Sequence, residues 1–183
     1  MRLFLAIDLP KASKKLLEEK LFDLKKEYAD FKWVREENYH ITLTFFGEVE
    51  KEKKDKIIKA VELAVYDIES FHLYSQDAGL FLNDKVVLYI NFRREKRLEL
   101  IVDRIKSRLN LVEGKKFTSH STIARTKIPS KQQYLHLKKK LQRLDVNLDF
   151  NVSRIYLFQS ILEGKRPVYK KIVSFKLLMP HQS

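Results

Sequence analysis

The sequence predicts an α+β fold built as a pseudo-twofold duplicate: two lobes, each an antiparallel sheet with helices on its outer face, and a cleft between them. Two observations carry this reading. The run His40-Ile41-Thr42-Leu43-Thr44-Phe45 is echoed by His120-Ser121-Thr122-Ile123-Ala124-Arg125. Around both runs the order of hydrophobic patterns is the same, namely strand, helix, His-x-Thr strand, helix, strand. Identity outside the two runs is slight, so the repeat is one of pattern. No Gly/Ser/Pro linker parts the halves. The expectation is therefore a single bilobal domain over 1–183, with half-repeats of roughly 1–82 and 83–183 and with room for strands to be exchanged between lobes.

Taken in order, Arg2 to Leu9 reads as a buried strand that Pro10 ends, and a proline at this place can open a helix because its missing N–H costs little there. Leu17, Leu21, Leu24 and Tyr28 recur at helical spacing. A short strand over 31–35 and a polar approach lead to the first His-x-Thr run, which Gly47 stops. Ile57, Val61, Ala64 and Ile68 form the apolar face of a second helix. Phe71 to Gln76 reads as a strand, and Leu80-Phe81-Leu82 opens a hairpin through Asn83-Asp84-Lys85 into the strand Val86 to Phe92. A helix through Leu98, Ile101, Val102, Ile105 and Leu109 ends toward Gly114. After the second run, Pro129 and Ser130 introduce a helix carrying Leu137, Leu141 and Leu144. Phe150 to Ile161 and Val168 to Leu178 close the chain as a hairpin around Glu163-Gly164-Lys165.

In a strand, residues two apart share a face. His40 and Thr42 thus point to one side while Ile41, Leu43 and Phe45 point toward a core, and the second run repeats the imidazole–hydroxyl pair. An imidazole titrates near neutrality. Two of them can divide a displacement at phosphorus, one taking a proton from water and the other giving a proton to the departing oxygen, each worth on the order of 10²–10⁴-fold. Thr42 and Thr122 can donate to non-bridging oxygens, and Arg125 can add a fork-shaped cation. By strict alternation Arg125 lies opposite His120, so it needs a bulge or a strand end to reach the same face. His72, His136 and His181 read as structural or surface residues.

Composition narrows the classes. The chain has 183 residues, 44% of them hydrophobic, enough for a core without staples. No cysteine is present, which removes disulfides, thiolate catalysis and Cys-based metal sites. No His-Glu-x-x-His, Gly-rich phosphate loop or nucleophile elbow occurs. The N-terminal apolar run is shorter than a signal peptide needs, and nothing approaches the roughly 18 apolar residues of a membrane span. The expectation is a cytoplasmic protein with no membrane association. A net charge of +13 favours polyanionic partners; a lysine-rich thermophile surface accounts for it equally well.

The two runs, with Arg2-Leu3-Phe4-Leu5-Ala6-Ile7, Trp33-Val34, Glu37-Asn38, Phe46-Gly47-Glu48, Phe117, Ser160-Ile161-Leu162 and Pro167-Val168-Tyr169, resemble the two-histidine (2H) phosphoesterase superfamily along nearly the whole chain. The resemblance is to its RNA 2′,3′-cyclic phosphodiesterase branch, historically called 2′-5′ RNA ligases. Ser119 stands where that family usually has proline, and the Glu163-to-Pro167 hairpin departs from its usual Gly-Pro step. The resemblance implies opening of an RNA 2′,3′-cyclic phosphate by water to leave a 2′-phosphate, with no cofactor and no metal. It assigns His40 as proton donor, His120 as proton acceptor, and Thr42, Thr122 and Arg125 as phosphate ligands. The expected partner is RNA with a cyclic phosphate end, tRNA-derived pieces included, and the expected state is a monomer. The alternatives are 2′-5′ RNA ligation, hydrolysis of other 2′-linked nucleotides, and a non-catalytic RNA-end-binding module.

Overall fold

The computed structural model describes residues 1–82, 84–111, 116–127, 129–164 and 166–180, with Arg166 described in its backbone alone. Strand β1 (Arg2–Asp8) leads into helix α1 (Lys11–Glu27), with Pro10 as its N-cap: the Pro10 carbonyl accepts from the Lys14 N–H at 2.9 Å. Leu17, Leu21 and Leu24 form the buried stripe of α1. The predicted strand over 31–35 shrinks to β2 (Lys32–Trp33), and a 3₁₀ turn (Glu36–Asn38) delivers the chain to β3 (His40–Glu48). A second 3₁₀ turn (Lys51–Lys53) enters α2 (Lys54–Val65).

The expected separate strands at 71–76 and 80–82 are one strand, β4 (Phe71–Leu82), bulged between Ser75 and Ala78, which pairs with β5 (Val86–Phe92). Asn83 of the predicted turn lies outside the described residues. Helix α3 (Lys96–Leu109) is capped at its start by the Glu95 side chain and closed by Asn110 in the left-handed region (φ 50°), four residues before the glycine named from sequence. That glycine, Gly114, falls outside the described residues. The second His-x-Thr run is β6 (His120–Thr126), and α4 (Lys131–Gln142) opens with a reciprocal Ser130–Gln133 capping box.

The strand predicted from Phe150 to Ile161 is broken at Ser153. Its first part, β7 (Asp149–Val152), pairs with β4; its second, β8 (Arg154–Glu163), pairs with β1 and, as a hairpin, with β9 (Arg166–Lys176). The polar pair Ser153-Arg154 marks the crossing, but with no Gly or Pro there the two halves, each alternating for its own sheet, read as one strand. The strand orders are β3-β1-β8-β9 and β2-β6-β5-β4-β7. Strands from the first half of the chain (β2, β4) thus complete the second sheet, and β8 and β9 complete the first. One continuous core, which includes Leu5, Ile7, Leu21, Ile41, Val61, Leu88, Ile101, Ile123 and Leu157, joins both sheets to the helices. Among the described residues no helix is long and apolar enough to cross a membrane.

β3 and β6 lie against each other where the sheets meet, so the two His-x-Thr runs come from facing strands. Their frameworks match residue for residue from the histidines as far as Phe45 and Arg125, beyond which the first ladder alone slips again at Phe46. In the first sheet Asp8 pairs with His40, Ala6 with Thr42, Leu5 with Thr44 and Phe4 with Phe45; in the second, Asn91 pairs with His120, Tyr89 with Thr122, Leu88 with Ala124 and Val87 with Arg125. Both ladders slip by one residue at the same place, leaving Leu43 and Ile123 as the extra residues of two bulges.

Candidate functional site

A cleft of about 960 Å³ runs between the sheets, and His40, Thr42, His120, Thr122 and Arg125 all line it. The bulges account for this gathering. At Ile123 and Ala124 two successive residues are buried, so alternation restarts one step late and Arg125 emerges on the His120 face. The same slip acts at Leu43 and Thr44. Phe45, expected in the core, is therefore 54% exposed and lines the cleft with the Arg2 guanidinium 5.2 Å from its ring centre. Phe45 is the correction: strict alternation fails after a bulge, and no residue type in the run announces one.

Each imidazole is held the same way. His40 Nδ1 lies 2.7 Å from the Asn38 carbonyl and His120 Nδ1 2.8 Å from the Thr118 carbonyl. A carbonyl only accepts, so Nδ1 carries the proton in both rings and Nε2 is left for chemistry. In neutral His40, Nε2 accepts from the Thr42 hydroxyl at 3.1 Å. Asn38 is itself tied down, its side-chain amide donating to the Pro167 carbonyl at 3.2 Å.

The surroundings of the two rings differ. Phe4, Phe158 and Tyr169 pack around His40 with centroids at 5.1, 6.4 and 5.2 Å. Burial pushes the His40 imidazole below its ordinary value; the Asn38 hydrogen bond and the Asp8 carboxylate oppose this, while Arg125 and Lys14 reinforce it. Asp8 is bound by Lys14 at 2.5 Å and by Lys171 at 2.6 Å. His120 is flanked edge-on by Phe81 at 5.9 Å and Tyr89 at 5.7 Å. Burial raises the Tyr169 hydroxyl above the usual phenol range, and the charges of Arg125 and Arg2 act against that. Two cations thus converge on this rim residue.

A size exchange accompanies the pseudosymmetry. Ala6 pairs with Tyr156 in one sheet, and Tyr89 with Gly79 at the corresponding place in the other. A Cβ added to Gly79 would lie 2.7 Å from the Tyr89 hydroxyl. Gly79→Ala is therefore expected to destabilise the fold by about 1–3 kcal/mol through overpacking, read as a lowered urea midpoint. In a Tyr89→Ala background, which carries its own cost, the added methyl should lower the midpoint far less; an equal drop in both backgrounds would show that Tyr89 is not what the methyl meets.

His72 is exposed and pairs with Asp149 at 2.9 Å, and His136 is exposed on α4, as a surface reading requires. His181 lies outside the described residues. Among the described residues no three His, Asp or Glu side chains are grouped to hold a metal ion. The aromatic walls, with Phe45 and Tyr169 foremost, and the mouth cations Arg2 and Lys85 were missed by sequence reasoning as site residues. Phe45 lies inside the first run on the far side of its bulge, Arg2 and Tyr169 both pair with Ser160, and Lys85 precedes β5, so only the folded sheets bring them to the cleft.

An antiparallel α+β duplicate with an imidazole and a hydroxyl presented by each lobe to one basic cleft defines a phosphoesterase class. The profile of the family described as LigT-like phosphoesterase matches residues 7–89. An RNA 2′,3′-cyclic phosphodiesterase of Methanocaldococcus jannaschii is 30% identical over 177 residues, covering 94% of this chain and 98% of the relative. One of the same name from Thermotoga maritima is 29% identical, covering 93% and 92%. In structure, TT0787 of Thermus thermophilus aligns with a TM-score of 0.77 at 26% identity over 99% of this chain and 100% of that one. Escherichia coli LigT in its apo form shares the fold with a TM-score of 0.75 at 22% identity, covering 96% of each chain. The chain belongs to the LigT-like, two-histidine phosphoesterase family, and it is an enzyme of the hydrolase class.

Proposed function

We propose that this phosphoesterase opens the 2′,3′-cyclic phosphate at an RNA end with water, leaving a 2′-phosphate and a free 3′-hydroxyl. The observation that carries the reading is the placement of both imidazoles, each with Nδ1 fixed by a carbonyl two residues earlier, on one cleft. The names of the relatives from M. jannaschii and T. maritima support the substrate class.

In this mechanism water attacks phosphorus and gives its proton to His120 Nε2, while the P–O3′ bond breaks and O3′ takes a proton from His40 Nε2. Solvent then returns a proton to His40 and removes one from His120. Thr42, Thr122 and Arg125 hold the non-bridging oxygens. His40 is held toward the neutral form before substrate binds, so the acid is made by the substrate: the phosphate's negative charge raises its affinity for a proton. Once Nε2 is protonated it no longer accepts from Thr42, and that hydroxyl turns to the phosphate. No step calls for a metal ion or an organic cofactor. Substrates of this reading include cyclic-ended RNA fragments such as those of tRNA, acted on by a monomer in the cytoplasm.

Incubation with adenosine 2′,3′-cyclic phosphate, with and without EDTA, tests the proposal. The expected product is 2′-AMP at a rate that EDTA leaves unchanged. A 3′-phosphate product, or activity that EDTA abolishes and added metal restores, would overturn it. Formation of a 2′-5′ linkage from two RNA ends in preference to hydrolysis would favour the ligase reading instead.

A further inference from the structure

Resting on the RNA-end reading above, we propose that Arg2 and Lys85 form a second, symmetric phosphate clamp at the mouth of the cleft, which holds the RNA backbone upstream of the reacting nucleotide. The two residues come from corresponding positions. Asp8, Ala6, Leu5 and Phe4 match Asn91, Tyr89, Leu88 and Val87 one for one in their ladders, and the same offset carries Arg2 onto Lys85. One cation is thereby presented from each lobe to the same cleft, and both line it.

Their place along the cleft separates them from the reacting centre. The histidine level is that of Asp8, and the Phe45 level is that of Phe4. The two levels are four residue steps of strand apart, about 13 Å. The Arg2 guanidinium rests over the Phe45 ring, which places it at the Phe45 level of the cleft and not at the histidine level. Neither Arg2 nor Lys85 forms an ion pair with a carboxylate among the described residues. Glu48 also lines this end, where it lies 3.5 Å from the N-terminal ammonium. By contrast Asp8, near the histidines, is held by two lysines. Two cations that line one groove without a carboxylate partner among the described residues suit a chain of phosphodiesters, and a mononucleotide has no second phosphate to offer them.

The clamp predicts a preference for length. For single strands each neutralised phosphate contributes about 0.7 to the log–log salt slope, or about five-fold in affinity at about 0.1 M salt. The test compares a fluorescein-labelled hexaribonucleotide ending in a 2′-phosphate, followed by anisotropy, with 2′-AMP, followed by calorimetry. The Arg2→Ala/Lys85→Ala double variant should lose about 25-fold in hexamer affinity relative to 2′-AMP, and its salt slope should flatten by about 1.4. Arg2→Lys/Lys85→Arg should recover most of the loss, and Lys20→Ala on the outside of α1 should leave the hexamer slope unaltered. Equal losses for hexamer and 2′-AMP, an unchanged slope, or a wild-type protein that binds the hexamer no tighter than 2′-AMP would overturn the clamp. Turnover of adenosine 2′,3′-cyclic phosphate, measured alongside, judges the catalytic reading separately, since binding of the 2′-phosphate hexamer requires no chemistry.

Discussion

Alanine in place of His40 or His120 is expected to lower the turnover of a 2′,3′-cyclic phosphate by about 10²–10⁴-fold, because each substitution hands one proton transfer back to solvent. The double variant should fall little below the worse single one if the two rings act as a unit. Far-ultraviolet circular dichroism should be unchanged, since both rings face a cleft and the strands beneath them are held by Ile41, Leu43, Ile123 and Ala124. Turnover within a few-fold of wild type in either variant would end the paired-imidazole mechanism. The pH profile has a definite sign. Burial keeps His40 below the ordinary imidazole value before substrate binds, so the free enzyme loses the proton of its acid early as pH rises. A bound anion opposes that loss. The alkaline limb of kcat/KM, which reports the free enzyme, should therefore lie at lower pH than that of kcat, which reports the complex. Coincident limbs would mean that the phosphate does not protonate His40.

Much of this was legible in the sequence because the signal was local. A His-x-Thr pair on one face requires only the two-residue period of a strand, and its recurrence among matching helices and strands exposes the duplication. The helix-spaced leucines of α1 and the apolar faces of α2 and α3 followed from periodicity in the same way, and the entry into α4 from Pro129 and Ser130. What the sequence concealed was register. The ladder slips at Leu43 and Ile123 change the facing of Phe45 and Arg125, yet a bulge has no residue signature when neither extra residue is glycine. The break at Ser153 is similar: β7 and β8 each alternate correctly for sheets that lie apart, and only pairing partners distinguish them. Apart from Phe45 of β3, the cleft's aromatic walls belong to β1, β4, β5, β8 and β9, so they become neighbours of the histidines only in the folded sheets.

Arg125 is where that hidden register bears most on the proposed function. Its backbone is fixed between Lys32 of β2 and Val87 of β5, and the extra residue Ile123 turns its side chain into the cleft. There its charge is felt by both His40 and Tyr169. A guanidinium so placed offers two parallel donors to a phosphate. It also adds to the burial that disfavours protonation of His40, so in the proposed mechanism one cation would hold the substrate and help to keep the resting acid from protonating. Arg125→Ala should thus cost about 1.5–3 kcal/mol of transition-state stabilisation, a drop in kcat/KM of about 10- to 150-fold. Arg125→Lys keeps the charge but not the fork, so it should regain the salt dependence of binding while recovering only part of kcat. If lysine proves as good as arginine, the residue acts as a point charge and the bidentate grip is wrong. If alanine costs less than about two-fold, the bulge at Ile123 serves the sheet alone and the phosphate is held by Thr42 and Thr122 without it.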